Sequence, residues 1–215
     1  MIEVKRLVKV FNGCTVLDDV SIKIEKSECV FIYGPSGAGK STFLRCLNLL
    51  ERPASGDIVF AGQNILSPDC DVSKVRQRMG MVCQEFDLFT NYTVLDNITL
   101  APIKLLKKPA EEAINEGCEL LERFGIWDKI YSLPCRLSGG QRQCVAIIRA
   151  LMMSPDVILF DEPTSALDNQ MQLGVRDVVR DLCKSGVTIV GTTHNSRFAE
   201  SVATRMVQME GGRLV

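Results

Sequence analysis

The chain is poor in the residues that build metal centres. It has one histidine and one tryptophan among 215 residues, and none of its nine cysteines forms a C-x-x-C pair. These counts argue against a zinc site. The odd number and scattered spacing of the cysteines also argue against a disulfide framework. We therefore expect free thiols in a reducing compartment, several of them buried.

Long apolar runs and excess charge are absent too. No stretch is apolar over the roughly 20 residues that a membrane-spanning helix needs. Residues 1–6 alternate apolar with charged side chains, so they predict a strand rather than a signal peptide. The formal net charge of -1 gives no indication of a nucleic-acid partner. Hydrophobic residues make up 46% of the chain, which predicts one folded domain with a sizeable core.

The strongest signal is a glycine-rich segment after a short apolar run. Residues 34–41 fit the phosphate-binding pattern G-x-x-x-x-G-K-[ST] at every fixed position. The flanking residues predict a buried strand before the segment and a helix after it. Lys40 is then placed at the β- and γ-phosphates, and the Ser41 hydroxyl at Mg²⁺. The predicted phosphate-binding residues are Gly34, Pro35, Ser36, Gly37, Ala38, Gly39, Lys40, Ser41 and Thr42.

A second apolar strand, at 157–160, ends in Asp161 and Glu162. Carboxylates at the end of a buried strand lie at the sheet edge where α/β proteins bind ligands. Asp161 is placed to hold Mg²⁺, directly or through its waters. Glu162 is placed to polarise an attacking water as general base. Alone, such acids are often a solvated strand end, but a phosphate-binding segment requires a partner of this kind.

A second glycine pair, Gly139 and Gly140, lies at the predicted start of another helix. Ser138 can cap this helix, and the glycines leave its N–H groups accessible to an anion. In isolation the segment is equally well an ordinary capped helix start.

Together these segments resemble the nucleotide-binding subunit of ATP-binding cassette (ABC) transporters, over nearly the whole chain. Residues 137–141, LSGGQ, are similar to the family signature, and residues 162–168 to the end of the Walker B region and the D-loop. Gln84 resembles the Q-loop glutamine, and His194 the switch histidine. Phe11 lies where the family places an aromatic side chain that stacks on adenine.

The resemblance implies a homodimer that closes head to tail around two ATP molecules. Each nucleotide would bind the phosphate-binding loop of one copy and the signature of the other. Glu162 would activate the water, and His194 would contact the γ-phosphate. The implied ligands of the phosphates and Mg²⁺ are Lys40, Ser41, Gln84 and Asp161. The implied residues at the interface between copies are Ser138, Gly139, Gly140, Gln141 and Asp168.

The expected fold is α/β: a P-loop NTPase core with a mainly parallel sheet, an antiparallel β subdomain and an inserted helical subdomain. Residues 1–215 would form a single ATPase domain. Residues 1–84 and 138–215 would be the core with the β subdomain, and residues 85–137 the helical subdomain. In the first predicted strand, alternation puts Ile2, Val4, Val8 and Val10 on one face.

Two local runs, at 44–51 and 93–102, resemble the ATPases of polar amino acid importers. That branch implies permease subunits, contacted near residues 86–97, a solute-binding protein, and a peripheral position on the cytoplasmic face of the membrane. The chain departs from the usual pattern of the branch at Cys144, Asn169 and Asn195, and it stops at Val215 where relatives commonly continue.

Two other functions remain open at this point. One is an ABC ATPase coupled to an exporter or to cell-envelope remodelling. The other is a soluble ABC protein that acts on DNA or the ribosome. Against the second, only about fifty residues separate Gln84 from Leu137, and they contain no sustained heptads.

Overall fold

The chain folds into two β-sheets flanked by helices. The computed structural model describes residues 1–165, 167 and 169–215. For residues 169 and 170 it describes the backbone only. The strands are β1 (Ile2–Phe11), β2 (Cys14–Ile24), β3 (Cys29–Tyr33), β4 (Ser55–Phe60), β5 (Gln63–Asn64), β6 (Met79–Val82), β7 (Val157–Asp161), β8 (Thr188–Thr193), β9 (Arg205–Glu210) and β10 (Arg213–Leu214). The helices are α1 (Lys40–Leu47), α2 (Val72–Arg78), α3 (Val94–Leu105), α4 (Ala110–Arg123), α5 (Gly139–Leu151), α6 (Asn169–Lys184) and α7 (Ser196–Val202), with 3-10 turns at Trp127–Lys129 and Pro134–Arg136.

The larger sheet is mainly parallel and has the strand order β10-β9-β3-β8-β7-β6. Every residue of β7 and β8 is buried. Strands that are buried throughout in this way are typical of parallel sheets covered on both faces. Because β3, β8, β7 and β6 are neighbours and run in parallel, the loops that follow them meet at one edge of the sheet.

The smaller sheet is antiparallel, with the order β2-β1-β4-β5, as predicted for this part of the chain. The predicted face of β1 is only partly correct. Ile2 and Val4 are buried, but the register then shifts, Arg6 takes a φ of 47° and Leu7 becomes buried. Val10 is 39% exposed. A β-bulge explains the difference, because one extra residue moves the side chains beyond it to the opposite face.

The helical region packs against α5. Thr93 and Asp96 form a capping box at the start of α3, in which each side chain accepts the other residue's backbone N–H, at 3.1 and 3.2 Å. One apolar cluster joins α3, α4 and α5 and includes Ile98, Leu121 and Ile148. Packing therefore fixes α5, which begins within residues 137–141, to the helical region. The boundaries of the helical subdomain at 85 and 137 remain a prediction.

All nine cysteines are free, as expected. Burial raises the pKa of the Cys46 and Cys144 thiols to about 11. Thiols of this kind stay protonated near neutral pH and are poor nucleophiles. Within the described residues, no helix combines the length and the apolar composition that crossing a membrane requires.

Asn97 holds the loop that leads into α3. Its side chain is buried. Its Oδ1 accepts the backbone N–H of Phe89 at 2.8 Å. Its Nδ2 lies 3.1, 3.1 and 3.0 Å from the carbonyl oxygens of Phe89, Tyr92 and Thr93. One amide therefore satisfies backbone groups along the whole loop.

We expect Asn97→Leu to lower the free energy of unfolding by about 2–4 kcal/mol, because buried backbone groups lose their partner. Denaturant unfolding followed by circular dichroism measures the change. Asn91→Leu is the matched control, since Asn91 is exposed in the same loop. Equal stability of the two variants would contradict the role given to Asn97.

Candidate nucleotide-binding site

The phosphate-binding segment connects the end of β3 to the start of α1. A Cβ on Gly34 would lie 2.1 Å from the carbonyl oxygen of Met209, and one on Gly39 would lie 2.7 Å from that of Val16. Gly39 also has a φ of 98°, which other residues resist. α1 has no side-chain cap, so the N–H groups of its first turn are available to an anion. The turn thus packs directly against the backbones of β2 and β9, with no room for side chains at these two glycines.

Lys40 has a buried side chain with three partners. Its Nζ donates to the carbonyl oxygens of Gly34 and Pro35 at 2.9 and 3.0 Å. It also lies 3.5 Å from Glu162 Oε1. A buried ammonium group needs such partners. These contacts hold its charge between the phosphate-binding segment and the end of β7.

Asp161, the last residue of β7, is tied to α1 by Ser41. Ser41 Oγ donates to Asp161 Oδ1 at 2.7 Å. Asp161 is 2% exposed, so its carboxylate is shielded from bulk water, whereas Ser41 is partly exposed. The structure therefore brings together two of the predicted magnesium ligands.

Glu162 and His194 follow β7 and β8 and contact each other. Glu162 Oε2 accepts the backbone N–H of His194 at 3.1 Å and lies 2.8 Å from His194 Nδ1. Glu162 has a φ of 49°, which is uncommon for a residue other than glycine. Residues with such a backbone cluster at functional sites, where the surroundings enforce the conformation. The predicted general base and the predicted γ-phosphate contact are thus neighbours.

A cleft of about 540 Å³ opens among these segments. Gln84, which follows the end of β6, lies in its wall with Glu162 and His194. The other described lining residues are Val16, Ser36, Gly37, Gly39, Lys40, Ser41 and Thr42. The ends of four neighbouring parallel strands therefore contribute to one cavity.

The signature segment lies apart from this cleft. Ser138 caps α5: its Oγ accepts the N–H of Gln141 at 3.2 Å, and its own N–H donates to Gln141 Oε1 at 2.9 Å. Gly140 packs against Met171, where a Cβ would lie 2.8 Å from that side chain. The described residues that line the cleft include none of Ser138, Gly139, Gly140 and Gln141. A single copy of the chain does not bring its signature to its own phosphate-binding loop.

Phe11, at the end of β1, is 38% exposed. The Lys9 ammonium lies 4.4 Å from the centroid of its ring, within cation–π range. Val16, in the adjacent strand, lines the cleft, whereas Phe11 is not among the described lining residues. The adenine contact of Phe11 stays a prediction. The prediction for Asp168 lies outside the described residues.

Arg149 of α5 holds the segment that follows Gln84. Its Nη1 and Nη2 donate to the carbonyl oxygens of Asp87 and Phe86 at 2.6 and 3.1 Å. Phe86 and Asp87 have left-handed φ values of 65° and 47°, a pair that needs external support. Burial lowers the pKa of Arg149, while the Asp87 carboxylate acts in the opposite direction. Arg149 and Val16 are not predictable from the sequence, because neither residue type is distinctive at its position.

We expect Arg149→Met to speed amide hydrogen exchange in residues 85–89 by about tenfold or more, because hydrogen bonds from a charged donor are lost. Hydrogen–deuterium exchange with mass spectrometry measures the effect. Arg180→Met is the control, since Arg180 is exposed on α6. Unchanged exchange in residues 85–89 would show that Arg149 does not support this segment.

A strand, glycine-rich turn and helix, with acids at the end of a neighbouring parallel strand, define a P-loop nucleoside triphosphatase. The chain belongs to the ABC transporter family, whose model matches residues 17–165. The predicted family, its ATPase class and the predicted α/β fold are confirmed.

The relatives are similar over the full length of this chain and about nine tenths of their own. The arginine transport ATP-binding protein ArtM of Bacillus subtilis (strain 168) is 47% identical, with 100% of this chain and 90% of the relative aligned. The glutamine transport ATP-binding protein GlnQ of Geobacillus stearothermophilus is 45% identical, over 100% and 89%. Among solved structures, the dimeric post-hydrolysis state of the cassette MJ0796 bound to ADP and Pi has a TM-score of 0.90 and 31% identity, covering 100% of this chain and 96% of the other.

Proposed function

We propose that this protein is the ATP-hydrolysing subunit that powers uptake of a polar amino acid through a membrane permease. The observation that carries the proposal is the convergence of Lys40, Glu162 and His194 on one cleft. The substrate class rests on relatives named for the transport of arginine, glutamine, L-cystine and glutamate/aspartate. The particular amino acid would be selected by other subunits.

The phosphates of ATP would bind at residues 34–42, against the free N–H groups of α1. Lys40 would meet the β- and γ-phosphates, because its ammonium already lies beside both the segment and Glu162. Adenine would lie towards Phe11, whose exposed ring offers a stacking surface. This placement explains why the described lining residues are mainly small or polar.

The donor set favours an Mg²⁺–nucleotide complex over the bare nucleotide. Lys40 supplies one positive charge, whereas Asp161 and Glu162 supply two negative charges. A polyphosphate adds several more negative charges, and bound Mg²⁺ would offset their repulsion. Ser41 hydroxyl, Asp161 carboxylate and Gln84 amide oxygens are the hard ligands that this ion prefers. These three residues would hold it.

Glu162 would accept a proton from the attacking water. Its carboxylate is held from two sides, by the Lys40 ammonium at 3.5 Å and the His194 N–H at 3.1 Å. Such positioning matters, because phosphoryl transfer depends mainly on orientation and charge stabilisation. His194 is 60% exposed at its side chain, so the ring is accessible to a γ-phosphate.

Hydrolysis would need a second copy of the chain. None of the described residues that line the cleft belongs to the signature, and Ser138–Gln141 would complete the cleft of the partner protomer. The similarity to a cassette described as dimeric with ADP and Pi supports this arrangement. Asp168, by resemblance, would connect the two sites.

The protein would bind peripherally at the cytoplasmic face of the membrane. Its permease contact would include residues 86–97, where Phe89 and Tyr92 are 47% and 45% exposed and stack edge to face at 5.6 Å. Exposed aromatic pairs of this kind are common in interfaces between proteins. A solute-binding protein would deliver the amino acid to the permease.

We expect Glu162→Gln to bind ATP, to lose at least about a hundredfold in hydrolysis rate, and to abolish amino acid uptake in vesicles that contain the permease. Glu200→Gln is the control, since Glu200 is exposed on α7. Wild-type ATPase and uptake in Glu162→Gln would remove Glu162 from the role of general base. Normal ATPase but no amino acid uptake with the wild-type protein would instead refute the transport assignment.

We expect Ser138→Arg to prevent ATP-driven dimerisation, because a bulky cation replaces the capping hydroxyl at the proposed interface. Nucleotide binding by the monomer should persist. Sedimentation with Mg-ATP, in a Glu162→Gln background, measures the dimer. Ser73→Arg, at the exposed start of α2, should leave the dimer intact. A Ser138→Arg protein that still dimerised fully would refute the shared site.

A further inference from the structure

A buried hydroxyl joins both acids of the site to the strand that precedes His194. Thr192, in β8, has no exposed surface. Its Oγ1 donates to Asp161 Oδ1 at 2.9 Å. The same oxygen lies 3.3 Å from the backbone N–H of Glu162, which it can accept. One side chain therefore touches the carboxylate of one acid and the backbone of the next.

The register of the sheet produces this contact. Thr192 stands opposite Asp161 in the parallel pairing of β7 with β8. The N–H of Glu162 also donates to the backbone carbonyl oxygen of Thr192 at 3.2 Å. Loss of the hydroxyl would therefore leave the Glu162 N–H paired. What it would remove is the second donor on Asp161.

Asp161 Oδ1 accepts from two hydroxyl groups on different elements, Ser41 of α1 at 2.7 Å and Thr192 of β8 at 2.9 Å. Two donors on one oxygen fix the rotation of the carboxylate more firmly than one. Hydrogen bonds to an ionised carboxylate are also the stronger kind. If Ser41 turned towards an ion, Thr192 would still hold Asp161 in place.

The other two threonines of β8 accept hydrogen bonds from backbone N–H groups instead. Thr188 Oγ1 accepts the N–H of Ser27 at 3.0 Å, and Thr193 Oγ1 accepts the N–H of Asn195 at 3.0 Å. Both bonds serve the backbone alone. Among these three buried threonines, the contact of Thr192 with an acid of the site is distinctive.

We propose that Thr192 is a positioning residue that holds the Asp161 carboxylate in the orientation needed to bind a divalent cation with the nucleotide. The inference rests on the proposed role of Asp161 as a ligand of that cation. Outer groups that orient metal ligands typically contribute about 10–100-fold to metal affinity or activity. Thr192 would act in this way through Asp161, without touching the ion.

Thr192→Val is the test, because valine keeps the shape of the side chain and removes the hydroxyl. Binding of Mn²⁺ to protein loaded with a non-hydrolysable ATP analogue is followed by electron paramagnetic resonance. We expect about tenfold weaker Mn²⁺ binding in Thr192→Val. Thr192→Ser, which keeps the hydroxyl, should stay close to wild type. Analogue binding in EDTA should be the same for all three proteins.

Two further variants separate the causes. Thr188→Val removes a buried hydroxyl from the same strand and should not change Mn²⁺ affinity; an equal loss there would overturn the inference in favour of general damage to β8. Asp161→Asn should weaken Mn²⁺ binding. If it does and Thr192→Val does not, the role of Thr192 is refuted and the proposed function stands. If Asp161→Asn has no effect, the proposed role of Asp161 fails, and the inference with it.

Discussion

The arrangement of the site depends on the shared hydrogen bonds of Asp161 Oδ1. Ser41 and Thr192 donate to that oxygen from α1 and β8, while Asp161 itself ends β7. Three separate segments of chain are thereby held at one point, in a region shielded from water. Beside this point, the backbone N–H of Glu162 donates to the carbonyl oxygen of Thr192, and the Glu162 carboxylate accepts the backbone N–H of His194. A site that orients phosphates and water needs such rigidity more than it needs strong binding.

α5 extends this constraint to the helical region. Its first residues belong to the signature and are capped by Ser138. Its middle packs on α3 and α4, and Arg149 donates hydrogen bonds to the turn after Gln84. A movement of the helical region therefore cannot occur without moving the signature or straining that turn. Packed interfaces of this type switch between discrete arrangements rather than bend continuously. The geometry accordingly suits the proposed coupling of nucleotide state to permease contact.

Short, chemically distinctive motifs made most of the site predictable from the sequence. The glycine-rich turn, Asp161, Glu162 and His194 each lie at or just after the end of a strand that the sequence predicts, and parallel strands place their ends together. The bulge at Arg6 was not predictable, because it arises from pairing with β2 and β4 rather than from residue type. Thr192 and Arg149 were missed for a related reason. Their partners are distant in sequence, and threonine in a strand or arginine in a helix has no signal of its own.

The close approach of Gly34 to Met209 has a consequence for how the protein matures. Met209 follows Gly34 by 175 residues, and β9 pairs directly with β3. During synthesis at about 5–20 residues per second, the turn would wait roughly 9–35 s for its neighbouring strand to leave the ribosome. A nascent chain would therefore carry an incomplete phosphate-binding turn for most of its translation.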